Sequence, residues 1–220
     1  KGDKPLLKNF KNLYLENTFL SKNALYTSKF YDEYVINKFK IIEIHNRPES
    51  LIYLIKKKVK SKLIFVYHNN PQDLRSSYTA KERLFIASNT DQIYFVSNWV
   101  KKKFFEDLPF KYKNNCEILY PAIDPLKKFP KKTNKIIFTG KLNSSKGYDI
   151  FGKAIIKILD KHKNWEALAI GNEPREKFNF KHPNFKILDW VNHKKILKYY
   201  NNSAISVVPS KWQEPFGRTA

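Results

Sequence analysis

The apolar residues of this chain are grouped into short, nearly continuous runs, and amphipathic stretches separate one run from the next. In the first 120 residues the runs lie at 41–44, 63–67, 93–96 and 117–120. Runs of this length are typical of strands that a parallel sheet buries on both faces. The stretches between them have apolar positions at helical spacing, and Thr79 lies three residues before Glu82, as in an N-terminal capping box. We therefore predict alternating strands and helices over this half of the chain.

The same alternation continues after residue 134. Apolar runs predict strands at 135–139, 165–170, 185–188 and 204–208. A long helix is predicted over 146–162. Its apolar residues repeat at i, i+4 and i+8, which predicts one buried face made of Ile150, Phe151, Ala154, Ile155, Ile158 and Leu159.

Residues 121–134 separate the two series of elements. This stretch contains three prolines and four lysines, a composition typical of a linker. We therefore predict an α/β protein of two domains with parallel sheets, one over residues 1–128 and one over residues 129–220. In such sheets ligands bind beyond the carboxyl ends of the strands. The residues expected there are His45, His68, Ser97, Gly140, Gly171 and Pro209.

The chain is strongly basic, with 42 lysine and arginine residues against 20 aspartate and glutamate residues, a formal net charge of +22. Nearly all of the positive charge is lysine, which with abundant asparagine, isoleucine, tyrosine and phenylalanine is what an AT-rich genome produces. The charge also suits anionic substrates or an anionic membrane surface. Nucleic acid is the least favoured partner, because the sequence has no dense arginine tract and no aromatic RNA-binding motif.

Other bulk features narrow the class of protein. Cys116 is the only cysteine, which excludes a disulfide framework and a cysteine-based metal site. No apolar run approaches the ~18 residues of a membrane-spanning helix. The chain begins at Lys1, has no methionine and ends at Ala220 within an apparent motif, so we interpret it as a fragment truncated at both ends.

The loop over residues 139–147 has candidate chemistry for an anionic ligand. Gly140 ends a predicted strand, and Lys141 and Lys146 lie five positions apart before the long helix, which Lys146 and Gly147 are predicted to open. Two ammonium groups and backbone donors in such a loop can surround a diphosphate. An ordinary strand-to-helix turn in a lysine-rich protein would have the same sequence, so this alternative stays open.

The C-terminal residues combine a strand, a turn and a predicted helix start. A buried strand at 204–208 leads through Pro209 to Glu214, and Gly217 precedes the first turn of a predicted helix at 218–220. Backbone N–H groups and the helix dipole at such a turn favour an anion. The Glu214 carboxylate can accept hydrogen bonds from sugar hydroxyls, although it can instead cap the following helix.

These two stretches together resemble the donor-site motifs of the retaining glycosyltransferases of family 4, which have the GT-B fold of two Rossmann-like domains. Glu214, Phe216 and Gly217 match the family's motif in place, and its second glutamate would lie two positions beyond Ala220. The family's Gly-Arg…Lys-Gly loop corresponds to residues 140–147, with lysine in place of the arginine. Lysine provides the charge of arginine but lacks its bidentate fork.

The resemblance implies an enzyme that moves a sugar, with retention, from a nucleotide-diphosphate donor to a glycan or lipid-linked acceptor in the synthesis of cell-surface polysaccharide or lipopolysaccharide. It implies that Lys141 and Lys146 neutralise the departing diphosphate and that Glu214 holds donor hydroxyls. Four more residues are implied to line the donor site near the sugar or the base: Gly140, Val191, Phe216 and Gly217.

In the first domain the resemblance implies that His68 faces the donor sugar or the acceptor, so that the catalytic residues are Glu214, His68 and Lys146. A capping or core histidine would have the same sequence context as His68. His45, Asn46 and Arg47 follow the neighbouring strand and are assigned to the acceptor side.

No metal and no cofactor are expected, since no histidine pair has zinc-helix spacing and no Asp-x-Asp run is present. A cytoplasmic location is expected, with peripheral attachment to the inner face of the membrane as an option. Two alternatives remain. The first is a non-catalytic, lysine-rich binding module for nucleic acid or anionic glycan, and the second is an enzyme of the same fold with other phosphate chemistry. Saturable binding of a nucleotide sugar that requires both Lys141 and Lys146 would separate the enzyme from the binding module.

Overall fold

The computed structural model describes residues 22–108, 115–122, 130–217 and 219. The chain divides between Pro121 and Ala122 into two compact units, each with its own parallel sheet. The division lies within the proline- and lysine-rich stretch, of which residues 123–129 are outside the described part of the chain.

The first unit alternates helices and strands. Its four strands are all parallel and lie in chain order, β1-β2-β3-β4. The elements are α1 (Lys22–Asn37), β1 (Ile41–His45), α2 (Pro48–Lys56), β2 (Lys62–Tyr67), α3 (Ala80–Asn89), β3 (Gln92–Phe95), α4 (Asn98–Phe105) and β4 (Cys116–Ile118).

Local sequence signals define the helix starts of this unit. Pro48 occupies the first turn of α2, where backbone N–H groups have no hydrogen-bond partner within the helix. The absence of an N–H on proline therefore removes no helical hydrogen bond there. Thr79 and Glu82 form the predicted capping box at the start of α3. The Ser97 hydroxyl accepts a hydrogen bond from the Val100 N–H at 3.2 Å and caps α4. The capping box predicted from Thr79 and Glu82 is therefore confirmed.

An unpredicted buried cation joins two of the helices. The Arg83 side chain on α3 is only 2% exposed, and its nitrogens donate to the carbonyl oxygens of Phe104, Tyr78 and Glu106 at 2.6–2.8 Å. Burial lowers the pKa of this guanidinium, although the carbonyl oxygens satisfy its donors. Arg83 therefore holds the end of α4 against α3.

The second unit has a parallel sheet in which the first strand lies between strands that follow it in the chain. The order is β7-β6-β5-β8, with β6 and β8 on either side of β5. The elements are β5 (Thr133–Thr139), α5 (Tyr148–Lys161), β6 (Glu166–Ile170), β7 (Phe185–Leu188), α6 (His193–Asn202) and β8 (Ser203–Ser206). Because β5 and β8 are neighbours, their carboxyl ends meet at one edge of the sheet.

The buried face of α5 is narrower than predicted. Phe151, Ile155 and Leu159 are buried against the sheet, whereas Ile150 is 47% and Ile158 38% exposed. Ala154 is also exposed. The prediction was wrong for this second stripe, which lies on the solvent side of the helix, whereas Gly152 on the buried side is covered by the ring of Phe180.

The prediction of a buried strand at 204–208 was also wrong. The strand ends at Ser206, and of its four residues only Ser203 is buried. Among the described strands β8 pairs with β5 alone, so it is the outer strand of this sheet. The predicted helix at 218–220 falls partly on residues outside the described part of the chain, since only residue 219 is described there.

Candidate active site

The loop after β5 folds onto the segment after β8. The Ser145 carbonyl accepts hydrogen bonds from the N–H groups of Lys211 at 3.0 Å and Trp212 at 3.2 Å. Gly147 has φ +73°, and a Cβ placed on it would lie 1.9 Å from the Pro209 carbonyl oxygen. Only glycine allows this left-handed turn and this close approach together. The two segments are therefore fixed to one another through their backbones.

This contact joins two of the predicted catalytic side chains. Lys146 Nζ lies 2.5 Å from Glu214 Oε1, and both side chains are about one quarter exposed, at 23% and 25%. The Ser210 hydroxyl donates to the same carboxylate oxygen at 3.0 Å. The Trp212 ring lies beneath the ammonium, with its centroid 4.6 Å from Nζ, within the range of a cation–π interaction.

The loop presents charge rather than backbone donors. The Lys146 N–H donates to Asn143 Oδ1 at 3.0 Å, and the Ser144 N–H and hydroxyl donate to Glu176 Oε2 at 2.9 Å and 2.7 Å. The Gly147 N–H donates to the Ser144 carbonyl. These amides already have partners within the protein, so backbone donation from them to a diphosphate, which stays a prediction, would require those hydrogen bonds to be exchanged.

The adjacent strand ends approach closely. Gly140 follows β5 with φ +147° and Gly171 follows β6 with φ +151°, and a Cβ on Gly171 would lie 1.7 Å from the Gly140 carbonyl oxygen. Beyond Gly171, the buried Glu173 accepts two hydrogen bonds from Arg175, at 2.7 Å and 2.8 Å. This pairing, helped by the charge of the exposed Lys141, lowers the pKa of Glu173 to about 2.

The other predicted donor residues lie in separate surroundings. Val191 is half-buried and packs against the small cluster formed by Ile137, Leu168 and Ile170, whereas Phe216 is 38% exposed. Gly217 has φ +72° with open space where a Cβ would lie, apart from Glu214 Cβ at 3.8 Å. Whether these residues contact a donor stays a prediction.

Sequence reasoning missed several residues of this site. Ser210 and Trp212 contact the predicted residues, and Glu176 contacts Ser144 of the loop, yet none of the three was predicted as a site residue. Ser210 and Trp212 lie four and two positions before Glu214. A Pro-Ser segment a few positions before Glu214 can turn back toward the Glu214 carboxylate. This short spacing was a sequence signal that could have indicated Ser210 and Trp212.

In the first unit the predicted histidines are in contact. His45 Nδ1 lies 2.8 Å from His68 Nε2. Asn46 adopts φ +55°, and its side-chain oxygen accepts from the N–H groups of His68 at 3.2 Å and Asn69 at 3.1 Å. The Asn46 oxygen therefore holds the segment after β2, a positional role that its assignment to the acceptor side did not include.

Arg47 lines a cavity of about 440 Å³ that is bounded by α1, β1 and α2. Apolar and aromatic side chains share this cavity with polar and charged ones. Its lining is Tyr26, Thr27, Phe30, Ile42, Glu43, Ile44, His45, Arg47, Ser50 and Leu54.

The side-chain clusters and helices of the described ranges bear on metal binding and membrane insertion. Within them, no group of three or more histidine, cysteine, aspartate or glutamate side chains is arranged to hold a metal ion. No helix among these residues has both the length and the apolar character needed to cross a membrane.

The family comparison concerns the unit that contains Lys146 and Glu214. Residues 121–220 match the family model of glycosyl transferases group 1. This group 1 match covers the loop after β5, the strand β8 and the segment that follows it.

A curated relative is the "Uncharacterized 41.2 kDa protein in cps region" of Klebsiella pneumoniae, which is 28% identical over 211 residues. The alignment covers 84% of this chain and 57% of that protein. The chain therefore spans a little more than half the length of the relative.

Solved structures establish the fold class. Anabaena HepE, crystallised in complex with UDP-glucose, has a TM-score of 0.67 at 12% identity, over 88% of this chain and 59% of that one. The pneumococcal O-GlcNAc transferase GtfA, in complex with UDP and GlcNAc, has a TM-score of 0.67 at 16% identity, over 91% and 43%. These likenesses confirm the predicted α/β class with Rossmann-like units of the GT-B type.

Proposed function

We propose that the whole protein is a retaining glycosyltransferase that moves a hexosyl or related sugar from a nucleotide-diphosphate donor to a glycan or lipid-linked acceptor. Its place would be in cell-surface polysaccharide or lipopolysaccharide synthesis, which the relative encoded in a cps region supports. The UDP-glucose bound to HepE and the UDP and GlcNAc bound to GtfA support a nucleotide-sugar donor.

The observation that carries this proposal is the pairing of Lys146 with Glu214. These residues are 68 positions apart, yet the neighbouring positions of β5 and β8 bring them to one strand edge, 2.5 Å from each other. Both belong to the unit with the group 1 match. An ammonium and a carboxylate at one point can bind a diphosphate and the hydroxyls of the attached sugar.

The transfer breaks the bond between the anomeric carbon and the diphosphate oxygen, which leaves with the electron pair. Lys146 stabilises that developing charge, because an ammonium has three donors and can hold a phosphate oxygen while it keeps Glu214. Lys141 adds a second positive charge from the same loop. Glu214 accepts hydrogen bonds from donor hydroxyls and fixes the anomeric carbon relative to the acceptor.

The acceptor side is assigned to the first unit, with His68 at the reacting group and His45, Asn46 and Arg47 near it. The net charge of +22 favours phosphate-bearing acceptors and an anionic membrane surface, which suits peripheral attachment to the inner face of the membrane. We propose that the transfer needs neither metal nor cofactor, since lysine charges take the place of a cation at the diphosphate.

The test uses the full-length enzyme, a panel of nucleotide sugars and calorimetric titration with the free nucleoside diphosphates. A charge-assisted hydrogen bond contributes about 1.5–3 kcal/mol. Lys146→Ala should therefore weaken diphosphate binding by one to two factors of ten, at ~1.4 kcal/mol per factor. Lys141→Arg should retain binding, because it restores the family's residue.

The matched control is Lys211→Ala. Lys211 Nζ pairs with Asp149 Oδ2 at 2.7 Å in the same two segments, so this change removes an equal charge beside the site. Equal loss of affinity in Lys146→Ala and Lys211→Ala would leave only a general charge effect. Saturable binding without sugar transfer would favour the binding module instead.

A further inference from the structure

Three side chains at the carboxyl end of the first sheet form a chain of hydrogen-bonding groups. His45 Nδ1 lies 2.8 Å from His68 Nε2, and His45 Nε2 lies 2.7 Å from Glu43 Oε1. The ring centroids are 5.1 Å apart at an interplanar angle of 19°. If the two rings met end to end, their centroids would be separated by the 2.8 Å contact plus the distance from each ring centre to its contacting nitrogen. The observed centroid separation is close to that sum. The imidazoles therefore meet edge to edge, as a hydrogen bond requires, and not face to face.

The fold places these groups together. Side chains two positions apart on a strand lie on the same face, so Glu43 and His45 project from one side of β1. His68 directly follows β2, the parallel neighbour of β1. Asn46 Oδ1 holds the backbone N–H of His68 at 3.2 Å. The position of His68 is therefore fixed both at its backbone and at its ring.

The order of the three groups determines which nitrogens hold protons. A carboxylate only accepts, so Glu43 selects the neutral form of His45 with its proton on Nε2. His45 Nδ1 is then an acceptor, and His68 donates to it from Nε2. This leaves Nδ1 as the accepting nitrogen of the His68 ring.

We propose that Glu43 and His45 are positioning residues that prepare His68 to take the proton of the acceptor hydroxyl, which rests on the proposed function. As the acceptor oxygen bonds to the anomeric carbon, its O–H bond breaks and the proton passes to His68 Nδ1. The proton on His68 Nε2 moves to His45 Nδ1. The chain then holds a neutral His68 and a His45 imidazolium beside the Glu43 carboxylate.

The proton can return to water from this point. The His45 and Glu43 side chains are 52% and 53% exposed, so the stored proton lies in contact with solvent. Release of the His45 Nε2 proton to water leaves both rings protonated on Nδ1, and exchange of the exposed ring protons with solvent then restores the Nε2-protonated starting state.

Neighbouring charged groups bear on the same proton. Arg47, in the turn after β1, lines the cavity that Glu43, His45 and Tyr26 of α1 also line, and its positive charge opposes the imidazolium that Glu43 favours. On α2, Glu49 accepts from Arg75 at 3.1 Å. Glu49 is therefore a suitable control carboxylate in the same unit, because its ion pair is with Arg75 and not with a histidine.

The experiment compares Glu43→Gln with Glu49→Gln in the full-length protein. Glutamine can still accept from His45 Nε2 but has no charge to stabilise the imidazolium. Long-range ¹H–¹⁵N spectra of the histidine rings should show Nε2-protonated rings in the wild type. In Glu43→Gln the side-chain amide can donate as well as accept, so the preference for Nε2 should weaken and Nδ1-protonated rings should appear. Glu49→Gln should match the wild type.

Steady-state kinetics supply the second measurement. Glu43→Gln should lower kcat by about ten-fold, the lower range for an impaired general base, with the donor KM unchanged. The Glu43 side chain is 53% exposed and the Glu49 side chain 29% exposed, so neither variant alters the core, and both melting temperatures should agree with that of the wild type within a few degrees.

Each outcome has one meaning. Ring spectra that are identical in Glu43→Gln and wild type overturn the hydrogen-bonded chain, whatever the activity. Altered spectra with an unchanged kcat overturn its part in transfer. Absence of transfer from every nucleotide sugar contradicts the proposed function and with it the catalytic part of this inference, while the spectra still report on the chain itself.

Discussion

The replacement Glu214→Gln separates catalysis from binding and from stability. In the structure, Glu214 Oε1 receives both Lys146 Nζ at 2.5 Å and the Ser210 hydroxyl at 3.0 Å. Glutamine keeps an oxygen for Ser210 but removes the charge that Lys146 faces. A pair that is one quarter exposed contributes about 1 kcal/mol, the upper end for surface pairs. A loss of this size lowers the melting temperature of a domain of 60–100 residues by roughly 4–8 °C.

Diphosphate affinity and turnover should respond differently to the same change. Without the carboxylate, Lys146 keeps its full charge for the diphosphate, so the affinity should stay within about a factor of three of the wild type, or about 0.6 kcal/mol. The bonds from donor hydroxyls to Glu214 are lost in the transition state. Turnover should therefore fall at least about ten-fold, the equivalent of one contact of ~1.4 kcal/mol.

The assay measures melting temperature, diphosphate affinity and turnover on one preparation of the full-length enzyme. Asp149→Asn is the matched control, since Asp149 pairs with Lys211 at 2.7 Å in the same two segments and touches neither Lys146 nor Glu214. Its melting temperature should fall as well, with turnover retained. If Glu214→Gln turns over as fast as Asp149→Asn, Glu214 has a structural role and the proposed donor contact is wrong.

Three further predictions concern stability and reactivity. Gly147→Ala should destabilise the second unit by about 2 kcal/mol or more, because its Cβ meets the Pro209 carbonyl at φ +73°; Gly217→Ala, at φ +72° with open space, should cost less in thermal melts, and equal losses would contradict the contact. Glu173 has a pKa lowered from 4.5 to about 2, so its contribution to stability is present above pH 4.5 and lost as the pH falls toward 2. Melting temperatures across this window should fall less steeply in Glu173→Gln than in the wild type. Burial raises the pKa of Cys116 to about 12, so alkylating reagents should modify it at pH 8 only after denaturant unfolds the protein, and rapid labelling of the folded protein would contradict its burial.

Signals that act within a few residues could be read from the sequence. The apolar runs predicted the strands, and the Thr79–Glu82 spacing predicted a capping box that the structure contains. The pairing of Lys146 with Glu214 was harder to predict from the sequence, because it depends on the strand order that places β8 beside β5. Similarity to a family motif indicated both residues separately, but only the sheet shows that they touch.

Signals that depend on packing could not be read in this way. Ile150 and Phe151 each begin a series of apolar residues at i, i+4 and i+8, and the sequence does not indicate which of the two series faces the sheet. Arginine is usually a surface residue, yet the buried Arg83 is satisfied by three backbone carbonyls, of which those of Phe104 and Glu106 lie more than twenty positions away. Glu43 lies inside an apolar run, and its contact with His45 becomes visible only when the strand shows which face each side chain occupies.

The strand order of the second sheet has a consequence for the newly made chain. β5 is synthesised first and β8 last, and residues 140–202 lie between them, so one edge of β5 waits for its partner during the synthesis of those residues. At roughly 5–20 residues per second this interval lasts about 3–13 s. The waiting edge presents the unpaired backbone of Ile136, Ile137 and Phe138, which can pair with another nascent chain. The ribosome therefore releases β8, which covers this edge, and the segment with Glu214 almost together. Chaperones should bind preferentially to nascent chains that have not yet reached residue 203.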